Sequence, residues 1–383
     1  MRVLILATDI YTRGGIARYT ATLAATLGEM IGRKNVEVLA LLNTGHSDEG
    51  PGSFCVLKAV SGRPTWRAKI GYAAESLRAA RKRYDLVICS HVALTPIAAL
   101  IERWFGTPFW VACHDAEVWE RISFAKLAAL RRAQFALPVS RFTGEKLREI
   151  NGISREKIRV VYNAIPDKFA DMLLTGNGNA SSSARQASGR RTLLSVGSLA
   201  RVHEYKGFDT VIRALPRLAV EAPDLIYMIA GKGDNQPRLE ALARQLGVRN
   251  RITFAGRVSD RELAELYHGC DVFVMPSRAS RTNGRWHGEG FGRVYVEAAL
   301  AGKPVVGSTG GGAAEAVLHE RTGLLVDPAS ASEVSDALSV LLRNPGLGAR
   351  MGREGRQWAS QTFSQASLRA GLAEALREGG HLQ

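Results

Sequence analysis

Two carboxylates stand eight positions apart in the stretch of the chain most suggestive of chemistry, residues 277–302. Glu289 lies in a glycine-rich segment, HGEGFG, and Glu297 lies in an apolar run that predicts a buried helix beginning near Gly292. Eight positions are a little over two helical turns, so we expect both acids on roughly one face near the helix N-terminus. Free N–H groups there can hold an anion or a sugar hydroxyl. A capped helix with one solvated and one structural glutamate fits the same pattern.

Other polar residues follow predicted strands, at the end where parallel sheets bind ligands. Arg201 and Lys206 come after the strand Thr192–Val196 and could bind a diphosphate, the arginine in bidentate fashion and the lysine as a point charge. They could equally be two solvated loop cations. His114 follows the strand Phe109–Cys113. Because no further ligands stand at metal spacing, we expect it to bond a substrate hydroxyl or to cap the next helix.

A double glycine, Gly14–Gly15, ends the first loop and precedes a predicted helix. Glycines at a helix N-terminus can form a backbone cradle for phosphate. The dinucleotide pattern G-x-G-x-x-G does not occur in this loop, and a plain tight turn fits the two glycines as well. A phosphate contact and a simple turn therefore both stay open at this position.

The elements that must position these residues alternate strand and helix along the chain. Their strands are apolar without alternation, as in a parallel sheet covered on both faces. This predicts an α/β fold of two Rossmann-like, doubly wound domains facing a central cleft that holds the ligands. We expect a first domain over 1–165 whose last strand is Arg159–Tyr162, a linker or mobile loop over 166–191, and a second domain over 192–357. A final helical segment, 358–383, is expected to pack across to the first domain.

Composition narrows the class of protein. The 383-residue chain is 46% hydrophobic and has no apolar run near the ~18 residues that cross a bilayer. Its four cysteines show neither metal nor disulfide spacing. The N-terminus is typical of a first strand rather than of a signal peptide. Together these features predict a cytoplasmic protein.

The net charge of +15 indicates an anionic partner or substrate. Much of the charge lies in 63–83, where basic residues are interleaved with aromatic and aliphatic ones. Such a helix can bind an anionic membrane on its cytoplasmic face, and a solvated helix face is the alternative. Nucleic acid is disfavoured as a partner, because the chain carries no RNP, helix-turn-helix or zinc-finger pattern.

In their order along the chain, the motifs resemble those of the GT-B retaining glycosyltransferases of family 4. The resemblance covers nearly the whole chain. Two departures stand out: Ser198 occupies a position where many members have arginine, so Arg201 would take that role, and 278–287 looks like an insertion. The matching residues are Gly14–Gly15, Arg201 with Lys206–Gly207, Gly256–Arg257–Val258, Glu289–Gly290–Phe291–Gly292 with Glu297, and Gly310–Gly311–Gly312 followed by Glu315.

The resemblance implies a role for each matched residue. Lys206 and Arg201 would neutralise the departing diphosphate. Glu289 would bind the sugar near its reacting carbon, and Glu297 would bind the ribose of the donor. The remaining contacts would come from Gly14 and Gly15 at the phosphates, the backbone amides of Phe291 and Gly292, Arg257 and Val258 at the nucleobase, and His114 beside the sugar.

The resemblance thus implies retaining transfer of a hexose from a nucleotide-diphosphate sugar, of the UDP or GDP type, to a glycan or lipid-linked acceptor. The first domain would bind the acceptor and the second the donor. Neither a metal nor another cofactor is expected, because no D-x-D motif stands at a strand end. A nucleotide-sugar epimerase or hydrolase on the same scaffold, or a non-catalytic nucleotide-sugar binder, would share these motifs.

Overall fold

The computed structural model describes residues 1–11, 14–42, 54–176, 190–282 and 284–382. A 3-10 turn, Arg201–Lys206, stands directly before α7. The helices are α1 (Gly15–Ile31), α2 (Trp66–Ala80), α3 (Thr95–Phe105), α4 (Phe124–Arg132), α5 (Arg141–Asn151), α6 (Asp167–Thr175), α7 (Phe208–Glu221), α8 (Gln236–Gln245), α9 (Asp260–Gly269), α10 (Arg293–Leu300), α11 (Ala313–Ala316), α12 (Ala331–Arg343), α13 (Pro345–Thr362) and α14 (Gln365–Glu378). The strands are β1 (Val3–Ala7), β2 (Val36–Leu42), β3 (Cys55–Ser61), β4 (Leu86–Cys89), β5 (Phe109–Cys113), β6 (Phe135–Pro138), β7 (Thr192–Val196), β8 (Ile226–Ala230), β9 (Ile252–Gly256), β10 (Val272–Val274), β11 (Ser280–Thr282), β12 (Arg285–His287), β13 (Val305–Ser308) and β14 (Gly323–Val326).

The first compact unit, Met1–Ala164 with Gln365–Gln383, contains a six-stranded sheet in the order β3-β2-β1-β4-β5-β6. All of its strand pairs are parallel. Every residue of β1, β4 and β5 is buried, which accounts for their apolar sequences without alternation. Strand order reverses at β1, which lies between β2 and β4. The Gly14–Gly15 loop follows β1 and therefore lies where doubly wound sheets bind ligands.

The second compact unit, Ile165–Ser364, repeats this arrangement with a parallel sheet in the order β14-β13-β10-β7-β8-β9. The core around it is built largely from aliphatic side chains of the strands and of α7, α8 and α12. Strand order reverses at β7, which lies between β8 and β10. The turn Arg201–Lys206 follows β7 at its carboxyl end. The predicted fold class, two parallel doubly wound α/β domains, is confirmed.

Two strand predictions in the first unit need correction. Arg159–Tyr162 is not a strand: the N–H groups of Arg159 and Val161 donate to β6, but only an isolated bridge forms, at Ile158. The segment runs past the end of a four-residue strand, β6, so it has little partner to pair with. The sequence reading also missed β3, whose seven residues include a lysine and a serine and give a weak apolar signal.

The segments around the predicted domain junctions have more structure than expected. Helix α6 lies inside the expected linker of 166–191, because Phe169 and Leu173 are buried on one of its faces. Residues 177–189 of that linker lie outside the described residues. The predicted final helical segment is two helices, interrupted where the buried Phe363 offers its carbonyl to the N–H of Ile165 at 3.1 Å. The second of them, α14, belongs to the first unit.

A glycine pair in α13 offers a test of the packing. A Cβ on Gly352 would lie 2.0 Å from the carbonyl oxygen of Gly302, whereas a Cβ on Gly346 would meet nothing within 4 Å. Gly352→Ala should therefore lower the free energy of unfolding by about 2 kcal/mol or more, despite the higher helix propensity of alanine. Gly346→Ala should leave it unchanged or raise it by up to about 1 kcal/mol. Urea denaturation measures both, and equal stability of the two variants would contradict the close packing.

Candidate active site

An ion pair between Lys206 and Glu289 lies at the carboxyl end of the second sheet. The Nζ of Lys206 donates to Oε2 of Glu289 at 2.7 Å, and the two side chains are only 11% and 19% exposed. Lys206 ends the turn after β7, and its Nζ stands 5.4 Å from the centre of the Tyr205 ring. Gly207 then starts α7 at φ +76°, where a Cβ would lie 2.1 Å from the carbonyl oxygen of Pro276. This crowding fixes the backbone that carries the lysine.

The Glu289 loop is held by a second glycine segment, 310–312. The N–H of Gly312 donates to the carbonyl of Glu289 at 3.0 Å, and a Cβ on Gly312 would lie 1.9 Å from the carbonyl oxygen of Gly290. Two backbone segments therefore lie in direct contact here. Gly292 caps α10 with φ +84°, so the helix begins at Arg293. The expectation that both acids share a helical face is wrong, because Glu289 precedes this left-handed residue.

Glu297 lies inside α10 and is 4% exposed. The hydroxyl of Tyr267 donates to its Oε2 at 2.9 Å, and Nη2 of Arg293 stands 3.7 Å from its Oε1. The sequence reading did not assign Arg293, although its position four residues before Glu297 is the spacing of a helical ion pair. The phenol of Tyr267 and the guanidinium of Arg293 therefore lie beside this buried carboxylate.

The other residues assigned to the donor in this unit lie around this centre. Phe291 is 2% exposed and its ring packs 5.1 Å from that of Phe363, so only its backbone can face a ligand. Arg257 is exposed directly after β9, and Val258 beside it is half-buried. Arg201 stands apart from the ion pair: its guanidinium is largely exposed and reaches Asp234 at 4.0 Å.

In the first unit, Gly14 and Gly15 form the N-terminus of α1. Gly14 is the extended cap residue, and its carbonyl accepts from the N–H of Arg18 at 3.0 Å. A Cβ on Gly15 would meet nothing within 4 Å, so a ligand can approach this backbone closely. The first N–H groups of the helix have no acceptor within the helix itself, and such groups can bind phosphate.

His114 follows β5 and is buried, with its Nε2–H donating to the carbonyl of Ser90 at 2.8 Å. It does not cap the next helix, α4, because the cap residue there is Ser123. Its own N–H and that of Asp115 donate to the Glu117 carboxylate. Burial lowers the pKa of His114, so the ring is neutral and its Nδ1 is an acceptor. His91 follows β4 in the same way, and its ring stacks 6.5 Å from that of His114. The sequence reading missed it, although both histidines follow parallel strands.

Helices α2, α3 and α4 carry large apolar side chains that are exposed to solvent. The Trp66 side chain on α2 is 67% exposed and that of Phe124 on α4 is 88% exposed. The guanidinium of Arg67 lies 5.3 Å from the centre of the Trp66 ring. Six large apolar side chains are exposed on these helices, and we call them the aromatic face: Trp66, Ile70, Leu100, Trp104, Phe105 and Phe124.

The described residues contain neither a membrane-spanning helix nor a cluster of metal ligands. Across residues 1–11, 14–42, 54–176, 190–282 and 284–382, no helix is long and apolar enough to cross a membrane. The same ranges contain no group of three or more histidine, cysteine, aspartate or glutamate side chains arranged to hold a metal ion.

Two doubly wound parallel sheets, each with polar residues at its carboxyl end, define an α/β protein of the GT-B class. Residues 181–358 match the family model for glycosyl transferases group 1, and residues 13–169 match that for glycosyltransferase family 4. The chain is 34% identical over 268 residues to a GDP-mannose-dependent alpha-(1-6)-phosphatidylinositol monomannoside mannosyltransferase of Mycolicibacterium smegmatis, covering 69% of this chain and 68% of that protein. The chain therefore belongs to this glycosyltransferase family, as the motifs predicted.

Other known proteins are similar over different lengths. A Mycobacterium tuberculosis protein of the same description is 38% identical over 179 residues, so the match spans 46% of that relative. Among solved structures, Anabaena HepE in complex with UDP has a TM-score of 0.79 at 22% identity, covering 99% of this chain and 100% of that one. A sucrose-phosphate synthase from Thermosynechococcus elongatus has a TM-score of 0.80 at 20% identity, with 99% of each chain covered. These structures support the GT-B fold.

The two histidines after β4 and β5, of which His91 is half-buried and His114 buried, predict a pH dependence of stability. Burial, with the neighbouring His114 as the next cause, lowers the pKa of His91 to about 4, from an unfolded value near 6.5. Above that unfolded value the ring is neutral in both states; below it only the unfolded chain takes up the proton, so stability falls as pH falls. The unfolding free energy continues to fall until the pH reaches the pKa of His91 in the folded protein. The carboxylate of Asp115 raises the pKa of His91 and the cation of Lys126 lowers it, and both effects are smaller than that of burial.

His91→Asn isolates the effect, because an asparagine oxygen can still accept from the N–H of Ala93 as Nδ1 of His91 does. Between about pH 7 and pH 5 the wild type should lose about 2 kcal/mol more unfolding free energy than this variant. Urea titrations at each pH measure the difference. Parallel pH profiles for the two proteins would show that His91 is not kept neutral by the fold.

Proposed function

We propose that this protein is a retaining glycosyltransferase that transfers a hexose to a lipid-linked acceptor. The proposed hexose is mannose, and the proposed donor is GDP-mannose. The observation that carries the proposal is the Lys206–Glu289 ion pair, which lies at the point where strand order reverses in the second sheet. A nucleotide-sugar presents both a diphosphate for a lysine and hydroxyls for a carboxylate. The names of the mycobacterial relatives support GDP-mannose among the possible donors.

The leaving diphosphate is stabilised electrostatically. Lys206 gives a cation within the site, and the N-terminus of α10 gives the N–H groups of Gly292 and Arg293. Arg201, at the start of the same turn, is the second cation that the family resemblance assigns. These groups supply the positive charge that the developing diphosphate requires, and the proposal therefore needs no divalent cation.

Retention follows from attack on the face from which the diphosphate departs. The bond between the anomeric carbon and the diphosphate oxygen breaks, and a bond from that carbon to the acceptor hydroxyl oxygen forms. The hydroxyl proton passes to the departing diphosphate oxygen, so no protein nucleophile is required. Glu289 orients a sugar hydroxyl, Glu297 binds the ribose, and the Nδ1 acceptor of His114 binds a hydroxyl of the sugar.

The aromatic face supports an acceptor at a membrane surface. Segment 63–83 carries seven arginine or lysine side chains beside Trp66 and Ile70, and each cation near an anionic bilayer contributes about 1 kcal/mol. Exposed tryptophan and phenylalanine side chains are suited to the headgroup region. We therefore propose that the protein works on the cytoplasmic face of an anionic membrane and binds no nucleic acid.

Lys206→Ala tests the catalytic part of the proposal. Loss of one charge contact to the departing diphosphate should lower kcat about 10²-fold, equivalent to about 3 kcal/mol of barrier. Glu297→Gln should mainly weaken GDP binding, since it keeps an acceptor for Tyr267 but loses the charge. The measurement is release of GDP and mannose transfer from GDP-mannose, with calorimetry for GDP affinity.

Arg261→Ala is the matched control, because it removes an exposed cation from α9 whose only described ion pair is with Glu265 at 3.2 Å. It should behave as the wild type. Full turnover in Lys206→Ala would reject the assigned role. GDP-mannose that is converted without any acceptor would favour an epimerase or a hydrolase, and GDP-mannose binding without conversion would favour a non-catalytic binder.

Vesicle sedimentation tests the membrane part. The wild type should bind phosphatidylglycerol vesicles and release them as salt rises, since surface charge is screened. Trp66→Ser should weaken this binding about tenfold or more, the effect of losing an inserted aromatic side chain. Val220→Ser is the control, because Val220 is an equally exposed apolar residue on α7 of the other unit. Equal binding to neutral phosphatidylcholine vesicles would contradict the electrostatic contribution.

A further inference from the structure

A cavity of about 530 Å³ lies in the second unit among the turn Arg201–Lys206, helices α7 and α8, and the segment that enters and leaves the β11–β12 hairpin. This volume falls within the roughly 300–1,000 Å³ of small-molecule sites. Lys206, Glu289 and Glu297 are not among its lining residues in the described chain. The cavity is therefore distinct from the ion-paired centre, although Tyr205 borders it and Lys206 follows directly in sequence.

Four arginines line this cavity against two acids. Glu204 pairs with Arg238 and Asp209 pairs with Arg278, so two guanidiniums are held in place. Arg278 also donates to the carbonyl of Glu204 at 3.1 Å. The other two, Arg201 and Arg213, leave an excess of positive charge in the lining.

These two arginines have few acidic side chains near them to neutralise their charge. Arg213 is exposed on α7 and has no acidic partner among the described residues. Arg201 reaches an acid, Asp234, only at 4.0 Å. Guanidinium groups with this freedom bind oxyanions in bidentate fashion. The cavity thus favours a ligand with a phosphate group.

A buried amide indicates that the ligand also carries hydroxyl groups. Asn235 lines the cavity and is 5% exposed, and its Oδ1 has no hydrogen-bond partner in the described part of the chain. A buried acceptor left unpaired costs about 1–3 kcal/mol, so a donor from a ligand would be stabilising there. An anionic oxygen can only accept hydrogen bonds, so it cannot pair with the Oδ1 of Asn235. A hydroxyl group of the ligand can donate to this atom.

The cavity wall includes the segment that departs from the family pattern. Ser280 and His287 are directly paired at the base of the β11–β12 hairpin, and both line the cavity together with Arg278. A wall built from the expected insertion indicates a ligand particular to this chain rather than the donor that the family shares.

We propose that this cavity, which we call the arginine cavity, is a second binding site for a phosphorylated polyhydroxy compound, either a free sugar phosphate or the phosphorylated headgroup of a lipid. Its phosphate lies against Arg213, beside the paired guanidiniums of Arg238 and Arg278, and a hydroxyl donates to the Oδ1 of Asn235. The site goes beyond the proposed transfer reaction. It requires no chemistry at the Lys206–Glu289 pair, and the closing experiment separates the two.

Calorimetric titration with glucose 6-phosphate, in the presence of saturating GDP, tests the arginine cavity. The wild type should bind one equivalent of glucose 6-phosphate, and unphosphorylated glucose should bind at least tenfold more weakly. Arg213→Gln should weaken binding roughly tenfold or more, or about 1.4 kcal/mol. Arg217→Gln is the matched control, because Arg217 lies four residues further along α7, outside the cavity lining, and pairs with Asp336 at 2.7 Å.

Three results would overturn the proposal: no binding of glucose 6-phosphate to the free protein, loss of that binding when GDP saturates the protein, or equal affinity in Arg213→Gln and the wild type. Tighter binding of inorganic phosphate than of glucose 6-phosphate would also overturn the role of Asn235. Displacement by phosphatidylinositol vesicles would support a lipid headgroup as the source, and no displacement would support a free sugar phosphate. Binding of GDP alone, measured in the same titrations, reports separately on the donor site.

Discussion

The ion pair between Lys206 and Glu289 is the interaction on which the candidate site depends. A lysine and a glutamate this shielded from water each lose solvation, and their 2.7 Å contact compensates for that loss. The pair also joins two separate loops, one after β7 and one before α10. The first is a single 3-10 turn and the second is irregular, so backbone contacts with neighbouring segments must fix both.

Glycine supplies those contacts in both loops. At Gly207 and at Gly312 a side chain would overlap a carbonyl oxygen of a neighbouring segment, so the chain can pass only without a Cβ. The left-handed cap at Gly292 then ends the loop and orients the N–H groups of α10. In the proposed reaction, the diphosphate would pair with the lysine and a sugar hydroxyl would donate to the glutamate. Each side chain would then keep a polar partner when the donor binds.

The sequence predicted the parts of the fold that depend on apolar runs. Strands β5 and β7 begin and end where the patterns indicated, because all of β5 and the three central residues of β7 are buried. Strand β3 was missed because a lysine and a serine weaken its apolar signal. The segment Arg159–Tyr162 was wrongly predicted to be a strand, because the apolar pattern does not show that its partner β6 ends after four residues.

Motif order selected Lys206, Glu289 and Glu297 as candidates, and their roles stay a prediction. The break at Gly292 and the exposed position of Arg201 could not be predicted in this way, because they depend on backbone conformation. The sequence shows only that His91 follows a strand and that Arg293 stands four residues before an acid. Their contacts with His114 and Glu297 depend on the fold, which a sequence does not show directly.

A crystal structure of the protein with GDP-mannose would test the central claim most directly. The account predicts that Nζ of Lys206 lies within hydrogen-bond distance of a diphosphate oxygen and that the Glu289 carboxylate accepts from a mannose hydroxyl. Donor density elsewhere, with the 2.7 Å contact between Lys206 and Glu289 unchanged, would contradict it.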